Sequence, residues 1–174
     1  MTYRIISTFD GSTETCSLSE LSQQLKLNSI LCELNGNGTL IDSWPLVHET
    51  LVTFAVEFAD YTLLNYTKKI PEAEACIALT RKWLENSETV SKEELRVAAN
   101  AAARAAANAA YAAYAAAAAH AAYDAARATY AAANAAAAAY AAANAAGGGE
   151  KKREAELIRQ GQFIVGYLKS SSSK

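Results

Sequence analysis

Between Ala98 and Ala146, 35 of 49 residues are alanine, and neither proline nor glycine interrupts the run before Gly147. Alanine loses no side-chain entropy on entering a helix and is the strongest helix former. The exceptions fall mostly three or four positions apart, as in Asn100, Arg104, Asn108, Tyr111 and Tyr114. That spacing sets them on one stripe of a helix. Length then constrains the fold. One continuous helix from Ser91 to Ala146 would be roughly 80 Å long, whereas a compact chain of this size is roughly 40 Å across. The helix must fold back, unless it projects as a rod or joins another chain. The phase of the larger residues favours folding. From Tyr114 to Tyr123 the stripe rotates by about half a turn, so Tyr123, Arg127, Tyr130 and Asn134 face another way. The turn is expected between the featureless Ala115–Ala119 and Asp124, and Ala135–Ala139 reads as a bend or a further turn.

Small side chains let two helix axes approach closely, near the lower end of the usual range of about 8–10 Å. Tyrosines fill the remaining gaps and can leave their hydroxyls wet. On the plain reading the tyrosines and asparagines of the run serve packing and solubility. On the functional one, Tyr111, Tyr114, Tyr123 and Tyr130, with Asn108 and Asn134, contact a partner.

The flanking segments must supply the bulk of the core, because alanine buries little area. Thr2–Thr8 is rich in β-branched and aromatic residues and predicts a strand, followed by a turn at Asp10-Gly11-Ser12. Ser17-Leu-Ser-Glu20 has the capping-box pattern, and Leu18, Leu21 and Leu25 predict a short helix to about Lys26. Ile30–Leu34 and Thr39–Asp42 flank Asn35-Gly-Asn-Gly38, a hairpin signal. Trp44-Pro45 is expected to open a long helix reaching about Lys68, with proline in its first turn. Pro71 opens another to Glu85, and Ser91-Lys-Glu-Glu94 is a second capping box. Gly147–Gly149 ends the alanine run, and Glu150 to Leu168 is helical again. The expected fold is therefore mainly α: an antiparallel helical bundle with an Ala-rich helical hairpin and a small N-terminal strand–helix–hairpin (α+β) unit. The expected organisation is a small N-terminal α/β unit over 1–43 packed on the helices, a helical domain over 44–169 with its Ala-rich core at 91–146, and a disordered tail at 170–174.

The net charge of −2 is unevenly spread. Residues 1–86 carry 11 acidic and 6 basic groups, and residues 150–174 carry 3 acidic and 6 basic. An acidic first half argues against nucleic acid as a ligand and suits either solubility or docking on a basic protein. Met1–Arg4 lacks the regions of a signal peptide, and no window has twenty strongly apolar residues. A cytoplasmic chain with no membrane contact is expected.

Catalytic constellations are thin. Cys16, Cys32 and Cys76 are widely spaced and odd in number, with no C-x-x-C or Cys/His cluster, so no disulfide framework or zinc site is indicated. His48 and His120 are the only histidines, and each reads as a surface or partly buried residue rather than a base. Asn35–Gly38 lacks the glycine spacing and lysine of a phosphate loop. Gly147–Gly149 before Lys151-Lys152-Arg153 reads as a solvated joint, with anion contact as the alternative. Glu72/Glu74 and Glu93/Glu94 open helices, where they complement the dipole. No catalytic residue, metal or cofactor is expected.

From Trp44 onward the order of features resembles a known group. A Pro71–Asn86 helix, Pro-Glu-Ala-Glu-Ala-Cys-Ile-Ala-Leu-Thr-Arg-Lys-Trp-Leu-Glu-Asn, leads into the Ala/Tyr/Asn/His run, and a charged Glu150–Gln160 segment closes it. This resembles the alanine-rich immunity proteins of the Imm5-like group, found in bacterial toxin–immunity loci and phage genomes. The resemblance covers about two-thirds of the chain; Met1–Asp42 lies outside the pattern. It implies a non-enzymatic protein that binds and neutralises another macromolecule: an immunity protein against a toxin, or a phage counter-defence protein such as an anti-CRISPR. The implied partner is a protein, a toxin or defence effector, with a nuclease among the candidates. Glu33 and Asp42, from the acidic half, join the six tyrosines and asparagines as candidate partner-contacting residues. The alternatives are a structural module whose alanine helices pair between chains as a homodimer, and an enzyme using cysteine or histidine. An ice-binding helix is set aside because regularly repeated threonines are absent.

Overall fold

The computed structural model describes residues 1–66, 71–107 and 150–172. Strands β1 (Thr2–Ser7), β2 (Thr13–Cys16), β3 (Ser29–Leu34) and β4 (Leu40–Leu46) form one antiparallel sheet in the order β2-β1-β3-β4. Four helices are described: α1 (His48–Tyr66), α2 (Pro71–Glu85), α3 (Lys92–Ala107) and α4 (Glu150–Ser172). The expectation of a mainly α bundle is thereby corrected to α+β. The sheet is not an appendage. Tyr3, Ile5, Cys16, Leu31, Trp44 and Leu46 share one hydrophobic core with residues of α1, α2 and α4.

Two strand segments explain the miscount. β2 reads Thr-Glu-Thr-Cys, with only Cys16 buried. An edge strand with one inward residue offers no apolar alternation to detect. At β4, Trp44 and Pro45 lie in the strand, paired with Leu31 and Ile30, rather than opening a helix. An edge strand tolerates proline because one row of its backbone groups has no strand neighbour. Trp44 can then bury fully on the core face while α1 starts at His48.

The segment after β2 also departs from expectation. Glu20 Oε2 accepts hydrogen bonds from Ser17 N and Oγ, both at 2.8 Å. The Glu20 amide, however, bonds the Ser17 carbonyl, at 3.2 Å, so the reciprocal half of the capping box is missing. One 3₁₀ turn, Leu21–Gln23, stands where a helix to Lys26 was expected. Leu21 and Leu25 are buried all the same. The box at Ser91 is complete: Ser91 N donates to Glu94 Oε2 at 2.8 Å, and Glu94 N donates to Ser91 Oγ at 3.2 Å.

Turn chemistry matches the sequence at both hairpins. Gly11 and Gly38 hold φ of 69° and 76°, a region where a side chain is strained. Asn35 Oδ1 accepts from the amides of Asn37 and Thr39, each at 2.9 Å. Helix α4 runs to Ser172, past Leu168 and into the segment expected as a tail, with the Ser170, Ser171 and Ser172 hydroxyls donating back to carbonyls of its last turns. The helix-to-helix turn expected in the alanine run lies outside the described residues.

Helix α4 meets the segment after β2 at Gly161. A Cβ on Gly161 would stand 2.2 Å from the Leu18 carbonyl oxygen, whereas one on Gly166 would meet nothing within 4 Å. Gly161→Ala should therefore destabilise the protein by about 1–3 kcal/mol, the usual cost of overpacking. Gly166→Ala should stabilise it by about 0.5–1 kcal/mol through helix propensity. Urea unfolding of the two variants checks both signs.

Candidate functional site

Six of the candidate contact residues, Asn108, Tyr111, Tyr114, Tyr123, Tyr130 and Asn134, lie outside the described residues, as does His120. Glu33 and Asp42 are described, and they face each other across β3 and β4. Their surroundings differ. Asp42 is exposed, whereas Glu33 is 1% exposed on the core side of the sheet. Glu33 therefore does not belong to a docking surface. Lys169, on the last turns of α4, places Nζ 2.8 Å from Glu33 Oε2. It is a contact of charges rather than a well-aligned hydrogen bond, and Oε1 has no hydrogen-bond partner among the described residues. The contact with Glu33 holds the Lys169 ammonium above the usual lysine range. Burial, reinforced by the Glu33 charge, raises the neighbouring Tyr3 phenol. Glu33 and Lys169 thus tie the C-terminal helix to the middle of the sheet.

The acidic surplus of the first half is carried at the surface. Asp10, Glu14, Glu20, Asp42, Glu49, Glu72, Glu74 and Glu85 are exposed. Two bases of that half are engaged in ion pairs. Arg81 holds Glu57 and Asp60 at 2.8 Å each, joining α2 to α1, and Lys26 pairs with Glu14. Lys82 acts on Glu94, whose carboxyl is held below its ordinary value first by its bonds to Ser91.

Antiparallel packing of α1 and α2 brings the start of one beside the end of the other. There Glu49, Trp83, Leu84, Glu85, Asn86 and Ser87 line a polar recess of about 310 Å³. Trp83 is half-buried, and the His48 ring meets it edge-on, with centroids 5.8 Å apart at 77°. A second recess, about 360 Å³ and apolar, lies between α2 and α3 and is lined by Leu79, Glu93, Glu94, Val97, Ala98 and Ala101. Sequence reasoning passed over Glu49 and Glu85. No local motif marks them, because the recess exists only once α1 and α2 pack antiparallel.

The thiols are sheltered. Burial pushes Cys16 and Cys76 up to about 11, the nearby Glu20 and Glu14 charges adding to the effect at Cys16. Burial raises Cys32 as well. A thiolate, not a thiol, is the nucleophile. Among the described residues no group of three or more histidines, cysteines and carboxylates is placed to hold a metal ion, and no helix is long and apolar enough to cross a membrane.

No protein-family model matches the chain, and no curated protein or solved structure matches it either.

Two outcomes are expected from this geometry. Lys169→Met strands a buried carboxylate and should destabilise the fold more than Glu33→Gln, because the Lys169 ammonium is half exposed and already reaches water. Adding Glu33→Gln to Lys169→Met should then recover stability in urea unfolding. Because the Lys169 value is raised, its contribution is full below the ordinary lysine value of 10.5 and is lost as pH climbs through the higher folded value. The thiols should ignore a thiol-reactive probe at pH 8 in the native protein and react at once in denaturant. Rapid native labelling of Cys76 would contradict its sheltering.

Proposed function

We propose that the protein is a non-catalytic inhibitor that docks, through its acidic first half, on a basic surface of a protein target. The observation that carries this reading is the exposure of eight carboxylates before Asn86 while Arg81 and Lys26 are held in ion pairs. Such a surface steers a basic partner toward encounter and repels acidic ones. Sheltered thiols support binding over covalent chemistry. The resemblance of the Pro71–Asn86 helix and the alanine run to immunity proteins points the same way. A toxin or a defence effector is the target class, and a nuclease, whose groove must be basic to hold phosphates, is the instance best matched in charge.

Titration against a purified target nuclease tests the proposal. Inhibition should saturate at a fixed molar ratio, and association should slow as salt rises. Asp42→Lys combined with Glu74→Lys should slow association about tenfold at low salt, with little change in stability because both side chains are exposed. Substoichiometric, time-dependent loss of target activity would mean turnover and overturn the reading.

A further inference from the structure

The recess at the junction of α1 and α2 has a chemistry of its own. Glu49 comes from the first turn of α1 and Glu85 from the last residue of α2. Neither carboxylate has an ion-pair or hydrogen-bond partner among the described residues. Of the bases on α2, Arg81 is committed to Glu57 and Asp60, and the charge of the exposed Lys82 is felt at Glu94. The carbonyl end of α2 also opens here, with the Asn86 amide closing its last turn on the Lys82 carbonyl at 3.1 Å. That end of a helix carries negative partial charge and favours a cation. The half-buried Trp83 indole forms one wall, held edge-on by His48. Aromatic faces attract cations, and a planar guanidinium can stack on one while its N–H fork reaches carboxylates.

We propose that this recess is a socket for a single arginine side chain presented by the protein partner. The proposal rests on the docking reading above and assigns it an anchor. Two carboxylates and a helix carbonyl end repel an anion. A resident divalent ion fits poorly, because among the described residues no third histidine, cysteine or carboxylate joins these two to hold it. An arginine head matches all three features: its charge meets Glu49 and Glu85, its plane meets Trp83, and its donors meet the carbonyl end of α2. Solvated acids on a convex surface would provide the charge without the aromatic wall or the concavity.

The test uses the full ¹⁵N-labelled chain and N-acetyl-L-arginine amide as probe, with sodium chloride at matched ionic strength as the reference. The indole N–H signal of Trp83, assigned with Trp83→Phe, should shift and saturate, while that of Trp44, 2% exposed in the core, should stay in place. Glu49→Gln with Glu85→Gln should weaken binding at least about tenfold, by removing both charged acceptors. Glu72→Gln with Glu74→Gln removes the same charge at the other end of α2 and should bind like the parent. A shift that never saturates, or one equally reduced by both double variants, would overturn the socket. Stoichiometric inhibition of a target without saturable arginine binding would refute the socket alone. Saturable arginine binding in a chain that inhibits no target at fixed stoichiometry would refute the docking reading and leave the socket standing.

Discussion

Helices α1 and α4, far apart in sequence, meet on one aromatic seam, and the described structure depends on it. Phe54 and Phe58 of α1 stack with centroids 6.4 Å apart, and Phe163 and Tyr167 of α4 meet Phe54 edge-on at 6.1 and 5.5 Å. Phe54 and Phe58 are fully buried. Rings of this size carry most of the area removed from water in a small core, and edge-on pairs add about 0.5–1.5 kcal/mol beyond that area. Helix α1 shares its core with the sheet, α2 and α4. Along the same helix, Gly161 lies against the Leu18 carbonyl and Lys169 reaches Glu33. Those two contacts tighten the assembly; neither could gather the elements alone.

Charge is distributed around that seam according to solvation. The inward charges are tied down. Glu156, 3% exposed, is held by Arg159 at 2.6 and 2.9 Å and by Gln160 at 3.0 Å, and Arg159 lies 3.5 Å from the centroid of the Tyr61 ring. Among the described residues Glu33 has Lys169 alone as an ion-pair partner, and losing it would leave a buried carboxylate uncompensated. The outward carboxylates pay no desolvation penalty and remain able to meet a partner. Burial thus sorts the eleven acids of the first half into a few that set geometry and many that set the surface field.

How much of this was legible in the sequence depended on the range of the signal. Caps and turns are local, so the Ser91 box, the Asn35–Gly38 hairpin, the Pro71 start and the helix after Gly149 could be read directly. Strands are not local. β2 has one buried residue, and β4 hides a tryptophan and a proline that also suit a helix start, so the sheet was read too small and the fold class came out as α. Glu33 fails for a related reason. Its alternation with Leu31 sets it on the core face only when Tyr3 is its neighbour across β1, and that register is a property of the sheet. The recess at Trp83 required knowing that α1 and α2 run antiparallel, which no single helix pattern contains.

Rigidity at that recess follows from the same contacts that hide the inner charges. Arg81 clasps Glu57 and Asp60 from the middle of α2, which fixes how far α2 can slide along α1. Two residues further on, His48 braces Trp83, and Asn86 shapes the exit through Oδ1, which accepts the Glu88 amide at 3.0 Å. The indole wall and the exit of the recess are therefore braced from within the fold. A preset wall matters most for a weak, single-residue anchor, because ordering a mobile side chain on binding costs about 0.5–1.5 kcal/mol each. An arginine entering this recess would spend its binding energy on charge and stacking rather than on assembling the site. Loosening the clasp, without touching the recess, should then weaken arginine binding through disorder of Trp83. That dependence separates a built socket from a chance meeting of two surface acids and an indole.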